Sequence, residues 1–170
     1  LVASICDAPC FAALEHLVIK TAVPIEPRHI ERLAAAPWAA TLRSLDLTET
    51  MVDWSVDVPD AQRHAALRAL TRFTGLTHLV LYNDIHLSPD LAVLLETPLA
   101  NLTHLSLGHG PEDAAMLELL ATTRSLPKLQ ELCFGGGPKR TDPAWDRVLA
   151  ASFPIYLHGT RVTAEYPKRT

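Results

Sequence analysis

Residues 76–84 read LTHLVLYND, and residues 102–110 read LTHLSLGHG. The shared core LTHLxL returns after 26 positions, a spacing that points to an internal repeat. The pattern Leu-x-x-Leu-x-Leu, with other large apolar residues admitted at its last place, occurs as LEHLVI at 14–19, LRSLDL at 42–47, LTHLVL at 76–81, LTHLSL at 102–107 and LQELCF at 129–134. SFPIYL at 152–157 is a degenerate sixth copy. The copies start at 14, 42, 76, 102, 129 and 152, intervals of 28, 34, 26, 27 and 23 residues. Those intervals lie in or near the range of a single turn of a repeat array.

Within each copy, apolar places four and six alternate with places three, five and seven. A period of two belongs to a strand with one face buried. The first Leu turns in from the preceding loop towards the same core. Between the strands the spacing predicts helices. Residues 26–40 carry Ile30, Leu33 and Ala34, and residues 60–73 carry Ala66, Leu67, Leu70 and Phe73, each at helical spacing. Residues 88–96 open Ser-Pro-Asp, a cap followed by Pro at the first helical place. Residues 112–122 carry Met116, Leu119 and Leu120, and Asp142-Pro143 opens a last helix with Trp145, Val148 and Leu149 inward. Strands alternating with helices imply parallel strands joined by crossovers. One such unit cannot bury its apolar face alone, whereas stacked units can.

The sequence resembles leucine-rich repeat proteins of the longer, ribonuclease-inhibitor-like kind, on the strength of its five LxxLxL copies over residues 14–162. The resemblance implies an α/β solenoid, or horseshoe, of about six repeats, with a concave parallel sheet and convex helices. Residues 1–13 are then an N-terminal segment continuing from upstream repeats, and residues 163–170 a C-terminal tail. The family usually has Asn or Cys three places after the last Leu, where its side chain bonds the loop. Here Ala22, Thr50, Asp84, Gly110, Gly137 and Thr160 stand there, so the repeats are irregular. The long second interval predicts an extended loop over residues 51–62, with Trp54 folded over the core edge among Asp53, Asp57 and Asp60.

In this register, places three, five and seven face outwards on the concave sheet. Place three holds His16, Ser44, His78, His104, Glu131 and Pro154; place five Val18, Asp46, Val80, Ser106, Cys133 and Tyr156; place seven Lys20, Thr48, Tyr82, Gly108, Gly135 and His158. Aromatic, imidazole and small side chains on one face suit protein recognition. His78 and His104, on adjacent strands, are the sharpest feature. Two imidazoles there could share Zn²⁺ with Glu131, but no His-x3-His or Cys-x2-Cys spacing accompanies them, and the recurrence of THL with the repeat accounts for the pair. A pH-sensitive surface is the stronger expectation, because neighbouring imidazoles repel once protonated. A Cys133–His104 nucleophile can be drawn, yet an open sheet offers it neither an oxyanion hole nor a water-excluding pocket. GGGPKR at 135–140 lacks the order of a phosphate loop, and its Pro138 removes an amide donor.

The remaining composition sets bounds. The 170 residues are 48% hydrophobic and 20% charged, ordinary for a globular chain with a sizeable core. A net charge of −4, with only Lys168-Arg169 as a basic tail, argues against nucleic acid or an anionic membrane as general partner. No apolar run approaches the length of a bilayer span. Cys6, Cys10 and Cys133 make an odd count, which suggests reduced thiols and a cytoplasmic setting, with Cys6 and Cys10 as small buried residues rather than a bridge or metal pair. The expected function is protein binding through the concave face, as a scaffold without catalysis, cofactor or metal. The alternatives are a passive segment of a longer repeat protein and a regulatory, GTPase-activating-like subunit.

Overall fold

A computed structural model of the chain describes residues 2–52, 58–81, 88–108, 118–120, 122–123, 125–134, 155–157 and 160–162. Among these residues seven strands form one sheet in sequence order: β1 (His16–Ile25), β2 (Ser44–Val52), β3 (His78–Leu81), β4 (His104–Leu107), β5 (Glu131–Phe134), β6 (Ile155–Leu157) and β7 (Thr160–Val162). Strands β1 to β6 pair in parallel, each with the next, while β7 returns antiparallel to β6. The antiparallel β7 has no counterpart in the repeat pattern. Helices α2 (Pro27–Ala34), α3 (Asp60–Ala69) and α4 (Ser88–Glu96) occupy the crossovers after β1, β2 and β3. The chain is therefore α/β, with a parallel sheet and helices between its strands.

The LxxLxL copies become strands because every second side chain is taken by one core. Leu45, Leu47, Leu79, Leu105 and Leu132 are at most 1% exposed, and the leading Leu42, Leu76 and Leu102 join them. Burying a side chain of this size is worth about 1.5–3 kcal/mol, which explains why the leucines hold the register. Ile30, Leu33, Ala66, Leu67, Leu91 and Leu94 come to the same core from the helices. Four strands, β2 to β5, also start in the same way. Two consecutive backbone N–H groups donate to one carbonyl of the preceding strand's start: Arg43 and Ser44 to Glu15, Thr77 and His78 to Arg43, Thr103 and His104 to Thr77, Gln130 and Glu131 to Thr103, all at 2.8–3.0 Å. Ahead of β3 the chain passes so close to the loop before β2 that a Cβ on Gly75 would sit 2.9 Å from the carbonyl oxygen of Ala40.

The helix boundaries differ from the sequence expectation where local chemistry intervenes. Helix α2 begins with Pro27, the Glu26 N–H donating to Nδ1 of His29 at 3.0 Å, but it ends at Ala34 rather than running to 40. Pro37 disfavours helix in the residue before it. The helix from Asp60 stops at Ala69 and tightens into a 3₁₀ turn over Leu70–Arg72. Strands β1 and β2 run on through Ile25 and Val52, past Lys20 and Thr48, the last sheet places of the repeat. Their continuations are rich in Thr, Val and Ile, which favour strand. The expected 51–62 loop is correspondingly shorter, since residues 51–52 belong to β2 and 60–62 to α3. Trp54, the 135–140 loop, the helix from Asp142, most of the 112–122 helix and the 163–170 tail lie outside the described residues.

The N-terminal segment is not loose. Helix α1 (Val2–Asp7) packs beside α2: Trp38, 1% exposed, donates its indole N–H to the Ile5 carbonyl at 3.3 Å, and Arg32 pairs with Asp7 at 2.9 Å. Cys6 is buried there, whereas Cys10 is exposed, which corrects the expectation that both are buried. A buried ionic cluster joins α3 to α4. Arg63, 3% exposed in its side chain, donates from Nε to Oδ2 of Asp90 at 2.8 Å; its Nη2 donates to Asp60 at 2.7 Å and its Nη1 to the Val58 carbonyl. Nε2 of His64 lies 3.1 Å from Oδ1 of the fully buried Asp90 without the alignment of a hydrogen bond.

Candidate functional site

The leucines leave the opposite face of the sheet to the intervening residues, and strand pairing lays these out in rows. The first runs His16, Ser44, His78, His104, Glu131 across β1 to β5. The second runs Val18, Asp46, Val80, Ser106, Cys133, Tyr156 across β1 to β6. Both rows match the spacing read from the repeat. Val18, 55% exposed, is the large hydrophobic side chain most open to solvent among the described residues. The third row does not line up as expected. An irregularity between Val18 and Lys20 pairs Lys20 with Glu49 instead of Thr48, because β1 and β2 continue as strand and slip by one residue. Gly108 follows β4, its N–H bonded to the Leu81 carbonyl at 3.0 Å, and is buried rather than on the open face. Thr48 lies on β2 and Tyr156 on β6, while Tyr82, Gly135, Pro154 and His158 lie outside the described residues.

At the middle of the first row, His78 and His104 stack face to face, ring centroids 4.1 Å apart and planes 7° from parallel. A threonine places each ring. Oγ1 of Thr77 is 2.8 Å from Nδ1 of His78 and donates to the Arg43 carbonyl at 3.0 Å; Oγ1 of Thr103 is 2.8 Å from Nδ1 of His104 and donates to the Thr77 carbonyl at 3.0 Å. A hydroxyl whose proton goes to a carbonyl accepts from the ring, an arrangement in which Nδ1 carries its hydrogen and Nε2 is left open. These threonines had no role in the repeat pattern. The only sign of them is that Thr precedes His in both LTHL copies.

Nε2 of His104 lies 3.6 Å from Oε2 of Glu131, and the other oxygen of Glu131 accepts a hydrogen bond from the Cys133 thiol at 3.2 Å. Lost hydration is the main cause that lowers the His78 pKa below its ordinary value; the charges of His104 and His16 add to it, and Glu131 opposes them. Two unit charges about 4 Å apart repel by about 1 kcal/mol in water and about 4 kcal/mol at an effective dielectric of 20. The stack therefore tolerates one proton far better than two. Burial, with Glu131 adding to it, pushes the Cys133 thiol up to about 12.

Cys133 donates its thiol to Glu131, and both burial and that contact disfavour the thiolate that a Cys–His pair would use. The lone pairs of two parallel stacked rings run side by side rather than converging, whereas a tetrahedral metal needs ligands aimed at one point. Among the described residues, no group of three or more His, Cys, Asp or Glu side chains is placed to hold a metal ion. Also among them, no helix is long and apolar enough to cross a membrane.

Compared with protein-family models and with curated proteins, the chain matches none.

Proposed function

We propose that the chain is a leucine-rich repeat solenoid whose concave sheet face binds another protein. The observation that carries this reading is the pair of outward rows across β1 to β5: in register, held by a leucine core beneath, and mixing Val18 and Val80 with imidazole, hydroxyl and acidic groups. A face prearranged on parallel strands binds with little loss of conformational freedom. Among the described residues, strands that pair only with their sequence neighbours, four of them (β2 to β5) started by the same double donation to a carbonyl, support the repeat architecture. Three free thiols favour a reducing, cytoplasmic setting.

The test is a paired pull-down with the native chain and a Val80→Arg, Ser106→Arg variant as baits. Both positions are on the open face and outside the core, and circular dichroism checks that the variant keeps its fold. A partner captured by the native chain and lost from the variant supports the reading. Partners held equally by both would move docking to the helices and sink it. Capture by neither would favour a passive segment of a longer repeat array.

A further inference from the structure

We infer that the stacked His78–His104 pair is a proton-operated switch in the open face: neutral and closed near neutral pH, charged and forced apart under mild acid. Its use in docking rests on the reading above; the switch itself belongs to the chain alone. Three geometric facts carry it. The rings lie 4.1 Å apart and nearly parallel, so a second proton would put like charges face to face. Their Nδ1 atoms lie 2.8 Å from the hydroxyls of Thr77 and Thr103, which leaves Nε2 to take an added proton. Glu131 stands 3.6 Å from Nε2 of His104, where it can hold the first proton's charge.

The groups acting on the pair are few among the described residues. His16 of β1 is in the same row and adds positive charge once protonated, β2 contributes the uncharged Ser44, and β5 contributes Glu131 with the Cys133 thiol. Asp46 and Lys20 lie on neighbouring rows. The depressed pKa of His78 agrees with this arrangement. A partner that covers the stack strips it of more water and so disfavours the charged form; by linkage, acid then releases that partner.

The experiment is an NMR titration of the imidazole signals of the full chain, labelled at histidine, from about pH 8 to pH 5. The expected result is that His78 and His104 titrate in two resolved steps, and that ring-current shifts from stacking vanish with the second. In a His104→Gln variant, His78 should move up towards the ordinary imidazole range. The inference is overturned if both rings titrate together at an ordinary value with their stacking shifts unchanged. It is overturned equally if the variant folds and leaves His78 where it was; should the variant not fold, the native titration decides. Two resolved steps with no partner lost from the Val80→Arg, Ser106→Arg variant would leave the switch standing and sink only the docking reading. Docking confirmed alongside a single ordinary titration would sink the switch alone.

Discussion

His78 and Cys133 show how neighbours on a strand face set the chemistry of single side chains. Because the folded state holds the pKa of His78 below the ordinary 6.5, the unfolded chain binds protons more readily on acidification. The group is neutral in both states well above 6.5 and has no effect there. As pH falls through 6.5 the unfolded state gains the proton first, so stability declines, levelling off only below the folded pKa. Urea unfolding of the native chain should therefore lose stability between about pH 7 and pH 5, and His78→Gln should flatten that slope; an unchanged slope would remove His78 as its source. Cys133 gives a second residue-scale expectation. With its thiol pushed up to about 12, only about one part in ten thousand is thiolate at pH 8. Iodoacetamide near pH 8 should label exposed Cys10 and spare Cys133, and Glu131→Gln should speed labelling of Cys133. Equal rates at the two cysteines in the native chain would count against the Glu131 contact. From the sequence, the spacing of the LTHL copies foretold that His78 and His104 would be neighbours. It could not foretell stacking, which depends on where Thr77 and Thr103 send their hydroxyl protons.

Among the described residues, elements in this chain are held to each other by a leucine core and, between α3 and α4, by a buried ionic cluster. The leucine part was legible because a two-residue period has one meaning for a half-buried strand, and the rows through His16 and Val18 followed from it. The ends of the elements were not, because they depend on short-range competition: Pro37 cuts α2, Thr and Val carry β1 and β2 onward, and the slip at Lys20 follows. The cluster of Arg63, Asp60, Asp90 and His64 was also hidden, since an Asp after Ser-Pro reads as a helix start whether it is buried or not. Burying Asp90 completely is tolerable only because Arg63 meets it at 2.8 Å. Removing one partner of a buried pair leaves the other charge without compensation and costs about 3–5 kcal/mol. Arg63→Leu should thus destabilise the chain by that order in chemical denaturation. The double variant Arg63→Leu, Asp90→Leu should recover part of the loss, since it removes the stranded carboxylate. A loss under about 1 kcal/mol in the single variant would mean that Asp90 is hydrated or protonated instead.

At the scale of the whole molecule, the ordered sheet makes each unit depend on its neighbours. β3 pairs only with β2 and β4, and Leu79 lies between Leu45 and Leu105 in a row of fully buried side chains. In the proposed repeat array stability is close to a sum of unit terms and interface terms, so damage at one unit spreads through its two interfaces. Leu79→Ala removes a buried isobutyl group and should cost about 2–5 kcal/mol, the figure depending on how far the neighbours close the cavity. Hydrogen exchange separates a shared loss from a local one. If the described units unfold together, the amides of β2 and β4 lose as much protection as those of β3. The amides of β1 that face away from β2 exchange fast in either chain, because β1 has a pairing partner on one side alone among the described strands. Protection lost in β3 while β2 keeps its full value would show that the units open one by one. The open face would then be assembled from independently fluctuating strands, and the His78–His104 stack, which bridges two of them, would report their separation as well as their protons.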